Sequence, residues 1–209
     1  MKSHPRRAEP RLKRPLDVAL ALTMLIPFAP AWGIVAIAIK HDDGGPVFYH
    51  QERWGRDGRT FSAMKFRTMA TDSDQRFGIR QATEDDERIT RVGRFLRASG
   101  LDEIPQLINI CRGEMSFVGP RALSTSERDT DGNALNYKNS PRFAERMAVR
   151  PGLTSIATIY LPKDATVRRK FAADVLYARR QSFLLDVRLI LLSFWISFHG
   201  KWESRGGKV

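Results

Sequence analysis

The segment Arg88–Arg121, with the sequence RITRVGRFLRASGLDEIPQLINICRGEMSFVGPR, determines how the rest of this 209-residue chain is interpreted. An adjacent acid pair, Asp102–Glu103, lies near its centre, and arginines recur at every third position before the pair. Carboxylates surrounded by guanidinium groups are typical of sites that handle phosphate esters. The carboxylates bind a divalent cation or attack phosphorus, while the guanidinium groups neutralise phosphate oxygens. The four arginines are Arg88, Arg91, Arg94 and Arg97.

The residues around the acid pair predict two helices with the pair between them. Apolar residues recur at helical spacing before the pair, and Ser99–Gly100 ends that first helix. Pro105 fits only the first turn of a second helix, so the acids lie at or just before its N-terminus, where the helix dipole favours anions. Taken alone, Asp102 and Glu103 are also explained as the N-cap and a first-turn residue of an ordinary helix.

The four arginines are predicted to differ in their roles. Arg97 is nearest the acid pair and is predicted to bind substrate phosphate. Asp86 or Glu87 is predicted to begin the first helix, because the first turn favours acids. The other three arginines are predicted to lie at the protein surface or against a membrane.

Composition limits the class of protein. A chain of 209 residues predicts a single domain. A formal net charge of +12 favours an anionic partner, such as nucleic acid, a nucleotide substrate or acidic lipid headgroups. The single cysteine, Cys111, excludes an intramolecular disulfide and fits a reducing compartment.

Residues 18–39 carry no charged side chain and predict a membrane helix. As a continuous helix they would extend about 33 Å, against a hydrocarbon core of about 30 Å. Pro27 and Pro30 lie within this run and predict a kink or break. Basic residues flank both ends, at Lys13–Arg14 and at Lys40, and the positive-inside rule places both ends in the cytoplasm. We therefore expect a helix that enters and leaves by the same face, with a kinked spanning helix as the alternative.

A β-hairpin is predicted over residues 46–69. Two apolar-aromatic runs flank the turn sequence GRDG at 55–58. Lys65 and Arg67 are two residues apart and therefore share one face of the second strand. They either present two cations to a diphosphate or belong to a solvated strand face.

Several blocks of residues, separated by fixed spacings, form a longer pattern. They are Gly45-Pro46-Val47, Gln51, Arg53, Gly55, Gly58, Phe61, Lys65–Met69, Phe95–Arg97, Leu101–Glu103, Gln106-Leu107, Asn109, Gly113, Met115-Ser116, Val118–Arg121, Arg150–Thr154 and a further match from Lys170 to Asp186. This pattern resembles the bacterial sugar transferase family, the monotopic phosphoglycosyl transferases. Members of that family transfer a sugar-1-phosphate from a nucleotide diphosphosugar to a polyprenol phosphate.

The resemblance implies a ping-pong reaction with a covalent intermediate. Asp102 attacks the sugar-proximal phosphorus and expels UMP, and polyprenol phosphate then attacks the phospho-aspartate. Mg²⁺, bound by Asp102 or Glu103, neutralises the diphosphate, and Glu103 assists the second step as a base. Because a nucleophile must be ionised, we expect Mg²⁺, nearby arginine and the helix dipole to lower the pKa of Asp102. The residues assigned to substrate binding are Lys65, Arg67, Arg97, Gln106, Arg121, Arg150, Lys163 and Asp174.

The expected fold class is α+β: a helix-rich single domain with a β-hairpin, an N-terminal re-entrant membrane helix and interfacial amphipathic helices. Residues 1–15 form a basic tail, either disordered or bound to anionic membrane lipid. Residues 16–40 form the re-entrant helix, and the resemblance places the family's helix break at Pro27. Residues 41–209 form a catalytic domain on the cytoplasmic face of a bacterial plasma membrane. Within this domain, the uncharged run of residues 189–198 is too short to span a membrane and predicts an interfacial helix or a buried core helix.

Two parts of the chain depart from the family pattern or fall outside it. Ser155–Tyr160 replaces a more common family sequence and predicts a short buried strand. The arginine that the family carries beyond this point has no clean counterpart, and Lys163 is the nearest substitute. The polar segments 72–87 and 124–141 are predicted to be surface loops.

A second class of function is a non-enzymatic protein that binds nucleic acid or anionic lipid through its basic surface. Net charge supports both classes equally. A nucleic-acid module needs neither the apolar run nor the acid pair, so these two features favour the transferase, and no nucleic-acid partner is expected. A multi-spanning transferase is disfavoured because the chain has one apolar run. The sequence leaves open the sugar, the glycan pathway and the oligomeric state.

Overall fold

The fold is given by a computed structural model, which describes residues 9–77, 86–126, 136–162 and 165–198. Short 3₁₀ turns at Arg56–Gly58, Leu101–Glu103 and Tyr137–Asn139 join some of the regular elements. The helices are α1 (Lys13–Asp43), α2 (Ser73–Phe77), α3 (Arg91–Ser99), α4 (Gln106–Arg112), α5 (Phe143–Arg146), α6 (Ile156–Tyr160), α7 (Val167–Arg180) and α8 (Phe183–Phe198). The strands are β1 (Phe48–Trp54), β2 (Thr60–Phe66), β3 (Ser116–Val118) and β4 (Gly152–Thr154).

The long apolar helix α1 runs from Lys13 to Asp43 without interruption. Within the described ranges it is the one helix long and apolar enough to cross a membrane. Its 31 residues extend about 46 Å, three residues beyond the predicted 16–40 at each end. Pro27 and Pro30 both lie inside it, so the helix does not break at either proline, and the predicted kink stays a prediction. Each proline removes only one backbone donor, and the bonds of the neighbouring turns continue the helix.

Both ends of α1 pack on the rest of the protein, whereas its middle does not. Near the N-terminal end, Lys13 and Asp17 are buried and Ala21 belongs to the main core. Near the other end, Ile39 packs with Phe66 and Leu96 in a second apolar cluster. All of residues 26–31 are exposed.

The predicted hairpin is confirmed. Strands β1 and β2 pair antiparallel, with Phe48 opposite Phe66 and Trp54 opposite Thr60. Helix α4 is fixed to β2 through Asn109, which is fully buried. The Asn109 side chain accepts a hydrogen bond from the amide of Met64 (3.0 Å) and donates one to the carbonyl of Ser62 (2.7 Å).

A short parallel pair, β3 and β4, lies in the main core and was not predicted from the sequence. The segment after β4 is also different from the prediction, because Ser155–Tyr160 contains helix α6 rather than a strand. The Ser155 hydroxyl caps the helix by accepting a hydrogen bond from the amide of Thr158 (2.9 Å). This cap and the burial of Ile159 in the core outweigh the strand preference of the β-branched residues.

Helix α3 begins later than the acidic residues suggested. Its N-cap is Thr90, whose hydroxyl accepts from the amide of Gly93 (3.0 Å), so the start predicted at Asp86 or Glu87 is wrong. Glu87 and Arg88 form a turn instead, closed by the bond from the amide of Ile89 to the carbonyl of Asp86, and the carbonyl of Arg88 accepts a hydrogen bond from the amide of Ala70. The Arg88 side chain is buried and pairs with Asp86 at 2.6 Å, so its predicted surface position is also wrong.

The C-terminal helix α8 has one face in the core and another exposed. Leu189 and Ile190 are buried, whereas Leu191 and Trp195 are exposed. The helix therefore contributes to the core and also presents apolar side chains outward.

Candidate active site

The acid pair lies on a 3₁₀ turn, Leu101–Glu103, between α3 and α4. Gly100 ends α3 with a φ of 71°, a left-handed conformation that glycine adopts without steric cost. Pro105 is the N-cap of α4. The predicted position of the acids, just before the second helix, is confirmed.

Lys65 of β2 contacts both acids. Its Nζ lies 2.5 Å from Oε1 of Glu103 and 3.9 Å from Oδ2 of Asp102. The side chains of Lys65 and Asp102 are about 15% exposed, so these charges interact with little screening by water. Since Asn109 fixes α4 to the same strand, the hairpin and the acid-bearing turn are held together at this point.

The two carboxylates differ in their tendency to ionise. Burial by itself would raise the pKa of Glu103, but the charges of Lys65 and Arg121 outweigh it and lower that pKa to about 2. Burial raises the pKa of Asp102 more than Lys65 lowers it, and the neighbouring Glu103 raises it further. The expectation that surrounding cations lower the pKa of Asp102 is therefore wrong for the protein without ligand, because desolvation is the larger effect.

The pKa of Lys65 is lowered, mainly by burial. Burial lowers its pKa, the charge of Glu103 raises it, and Arg53 and Arg121 lower it. These two arginines therefore lie close enough to act on the lysine and on Glu103. Arg53 was not predicted to belong to the site. It pairs with Phe61, which lies on the same face of β2 as Lys65, so strand alternation could have placed Arg53 on that face.

Arg97 lies near Asp102, whereas the assignment of Gln106 to substrate binding stays a prediction. The charge of Arg97 lowers the pKa of Asp102, and its Nη1 lies 3.4 Å from the hydroxyl of Thr68. Gln106 is buried and follows the pair by three residues. The site thus brings together two acids and several cations.

Three predicted substrate-binding residues have partners elsewhere. Arg67 is buried and donates to Asp43 at the end of α1 (2.8 Å) rather than to the acid pair. Arg150 pairs with Glu9 and donates to the carbonyl of Gly113 (2.9 Å).

Asp174, the third, is buried on α7 and pairs with Arg146 at 2.6 Å. Lys163 lies outside the described residues. Among the described residues, no three or more His, Cys, Asp or Glu side chains come together in a group that could hold a metal.

The family model for bacterial sugar transferases matches residues 8–200. The chain belongs to the bacterial sugar transferase family. The match includes the acid pair, the hairpin with Lys65, and nearly all of α1 to α8. Membership favours the enzyme over a non-enzymatic basic binding protein.

Relatives of this transferase are named for exopolysaccharide production or for glucose-1-phosphate transfer to undecaprenyl phosphate. It is 38% identical over 184 residues to the exopolysaccharide production protein PSS of Rhizobium leguminosarum, covering 86% of this chain and 91% of that protein. It is also 38% identical over 192 residues to the UDP-glucose:undecaprenyl-phosphate glucose-1-phosphate transferase of Caulobacter vibrioides, covering 90% of this chain and 70% of that protein. An enzyme of the same name in Escherichia coli is 33% identical over 200 residues, covering 91% of this chain and 41% of that protein.

Proposed function

We propose that this enzyme transfers a sugar-1-phosphate from a nucleotide sugar, specifically a UDP-sugar, to polyprenol phosphate. This transfer would initiate a membrane-linked glycan such as an exopolysaccharide. The observation that carries the proposal is the pair of adjacent carboxylates, Asp102 and Glu103, that share Lys65. The printed names of two relatives give the donor as UDP-glucose and the acceptor as undecaprenyl phosphate. The family and the site chemistry therefore agree on phosphoryl transfer.

The proposed reaction has two steps at Asp102. In the first, a carboxylate oxygen of Asp102 forms a bond to the sugar-proximal phosphorus, and the bond from that phosphorus to the UMP oxygen breaks. In the second, an oxygen of polyprenol phosphate attacks the same phosphorus, and the aspartyl oxygen leaves as a carboxylate. The products are UMP and polyprenol diphosphosugar.

The surrounding cations are suited to the charge that develops in these steps. Lys65 contacts both acids, and Arg97 and Arg121 act electrostatically on the pair. Positioned cations stabilise a transferring phosphoryl group because charge spreads over its oxygens. Glu103 is proposed to assist the second step as a base. With a pKa of about 2 it is a weak proton acceptor, so this assistance is small.

Mg²⁺ is the proposed cofactor, and the donor set fits it. Mg²⁺ in phosphoryl-transfer sites is bound through one or two carboxylates together with substrate phosphates and water. Asp102 and Glu103 supply two adjacent carboxylates, which is sufficient for this mode without a third protein acid. When bound, Mg²⁺ would neutralise the diphosphate.

The positions of the two ends of α1 support a re-entrant path through the cytoplasmic leaflet. Lys13 donates to the carbonyl of Val118 (2.9 Å), and Asp42, near the other end, accepts from the amide of Val92 (2.9 Å). A spanning helix would place its ends on opposite sides of the membrane, so one domain would not contact both. A re-entrant path therefore requires the continuous helix to bend near Pro27 and Pro30, where proline favours a kink. The exposed residues 26–31 are then the part that enters the lipid.

Cysteine labelling tests this topology. Arg11→Cys and His41→Cys, each in a Cys111→Ser background, place single thiols at exposed positions on either side of the apolar run. In intact cells, a membrane-impermeant maleimide should label neither thiol, and permeabilised cells should give labelling of both. Labelling of one of them in intact cells would establish a spanning helix.

Mass spectrometry tests the covalent step. The enzyme incubated with UDP-sugar and Mg²⁺ but no acceptor should release UMP and carry a sugar-phosphate on the peptide containing Asp102. Asp102→Asn keeps the shape of the side chain but should give no adduct and no turnover, and Glu103→Gln should be severely impaired. UMP release that requires polyprenol phosphate, with no adduct, would replace this mechanism by direct displacement in a ternary complex.

A further inference from the structure

Arg146 forms a buried contact that the proposed reaction does not use. Its side chain is 1% exposed, at the end of α5. Its Nε donates to Oδ2 of Asp174 (2.9 Å), and its Nη2 lies 2.6 Å from the same oxygen. The guanidinium carbon lies 4.9 Å from the ring centroid of Phe171, so α7 encloses the group from more than one side.

The same guanidinium also reaches the backbone next to the acid pair. Its Nη2 donates to the carbonyl of Arg121. The carbonyls on either side are held as well: that of Pro120 accepts from the amide of Gly152 (2.9 Å), and that of Ala122 accepts from Arg53 (2.8 Å). Three successive carbonyls are therefore fixed by three different parts of the chain.

The side chain of Arg121 differs from this fixed backbone, because it is exposed. The next residue, Ala122, accepts from Arg53 of β1, the strand that pairs with the Lys65 strand, so this segment lies against the hairpin. The charge of Arg121 acts on Glu103 and Lys65. An exposed arginine has many rotamers, and a fixed backbone limits the region that its guanidinium can reach.

We propose that Arg146 is a positioning residue for the transfer reaction: it holds the carbonyl of Arg121 so that the Arg121 guanidinium stays beside Glu103 and Lys65. This inference rests on the proposed function, since it assumes that Arg121 contacts the phosphate of the donor. It also gives Asp174 the role of orienting Arg146 rather than of binding substrate.

The test removes the anchor while keeping the interior packed. Arg146→Ala would leave the Asp174 carboxylate buried without its partner and so could unfold the domain. The double variant Arg146→Met/Asp174→Leu instead replaces the buried pair by apolar side chains, a change that proteins often tolerate. Arg88→Met/Asp86→Leu is the matched control, because it removes another buried arginine–aspartate pair, whose bonds to described residues do not include Arg121.

Hydrogen exchange of the full-length enzyme in nanodiscs measures the positioning directly. In Arg146→Met/Asp174→Leu, the amides of Gly119, Ala122 and Leu123 should exchange about tenfold faster, as expected for the loss of one hydrogen bond to a charged donor. The same amides should be unchanged in the Arg88→Met/Asp86→Leu control. Unchanged exchange in the first variant would overturn the proposal, whether or not the enzyme transfers sugar phosphate.

A mutant cycle then measures the link to the reaction. Arg121→Ala should lower kcat/KM for the UDP-sugar about 10-fold to 100-fold. Arg146→Met/Asp174→Leu should also lower it, and the combined variant should fall no more than about twofold below Arg121→Ala alone, because both changes remove the same contact. Losses that multiply, or full activity of a folded Arg146→Met/Asp174→Leu, would overturn the proposal. Absence of transfer by the wild-type enzyme would refute the proposed function instead.

Discussion

Replacing Lys65 by methionine removes the cation that the two proposed catalytic acids, Asp102 and Glu103, share. The lysine Nζ lies 2.5 Å from Glu103 and 3.9 Å from Asp102, and its side chain is only 15% exposed. The loss of a hydrogen bond to a charged group is worth about 1.5–3 kcal/mol. This corresponds to a decrease of about 10-fold to 150-fold in kcat/KM.

The same variant should change the pH dependence, and its direction follows from the charge of Lys65. This charge lowers the pKa of Asp102 and of Glu103, against the effect of burial. Without it the pKa of Asp102 rises further, so the ionised form of this proposed nucleophile is lost at a higher pH as the solution is acidified. The acidic limb of kcat/KM should therefore move to higher pH.

The assay is UMP release over a range of pH, with enzyme in nanodiscs and UDP-sugar well below KM. Arg67→Met is the matched control, because Arg67 lies two residues further along the chain and pairs with Asp43 instead. It should lower the midpoint of thermal unfolding but leave the acidic limb in place. A folded Lys65→Met enzyme with wild-type kcat/KM and an unmoved acidic limb would refute the assignment of Lys65 to the site.

Two further predictions address substrate binding and stability. Arg97→Ala should lose about 1.5–3 kcal/mol in transition-state stabilisation, measured as kcat/KM, because Arg97 lies near Asp102. A folded variant with normal kcat/KM would show that Arg97 does not belong to the site. Lys13→Met should lower the free energy of unfolding by about 3–5 kcal/mol in denaturant titrations, because it leaves Asp186 buried without its cation. The double variant Lys13→Met/Asp186→Leu should recover most of this loss. Equal stability of the two variants would contradict this account.

Local sequence patterns predicted the parts of the site that depend on neighbouring residues. The turn at 55–58 and the alternation of the flanking strands gave the hairpin with Lys65, and Gly100 and Pro105 placed the acids between two helices. These features depend on backbone conformation within a few residues. Local sequence determines such conformation well.

The group that each arginine side chain pairs with could not be predicted from the sequence, because it depends on contacts between distant parts of the chain. Arg67 and Arg150 have the charge expected of phosphate ligands, but they pair with Asp43 and Glu9 respectively. Arg146 gave no local signal of a role near the acid pair, since its contact with Arg121 spans 25 positions. A basic composition shows that cations are available but does not show which anion each one meets.

The pair formed by Lys13 and Asp186 has a consequence for how the protein is made. It joins residues 173 positions apart in the sequence. At a synthesis rate of about 5–20 residues per second, the carboxylate emerges roughly 9–35 s after the lysine. Throughout that interval α1 is available to the membrane while the ammonium group of Lys13 has not met its partner. The ion pair with Asp186 therefore forms only after translation has reached α8. A nascent chain that stalls earlier keeps Lys13 without its carboxylate partner.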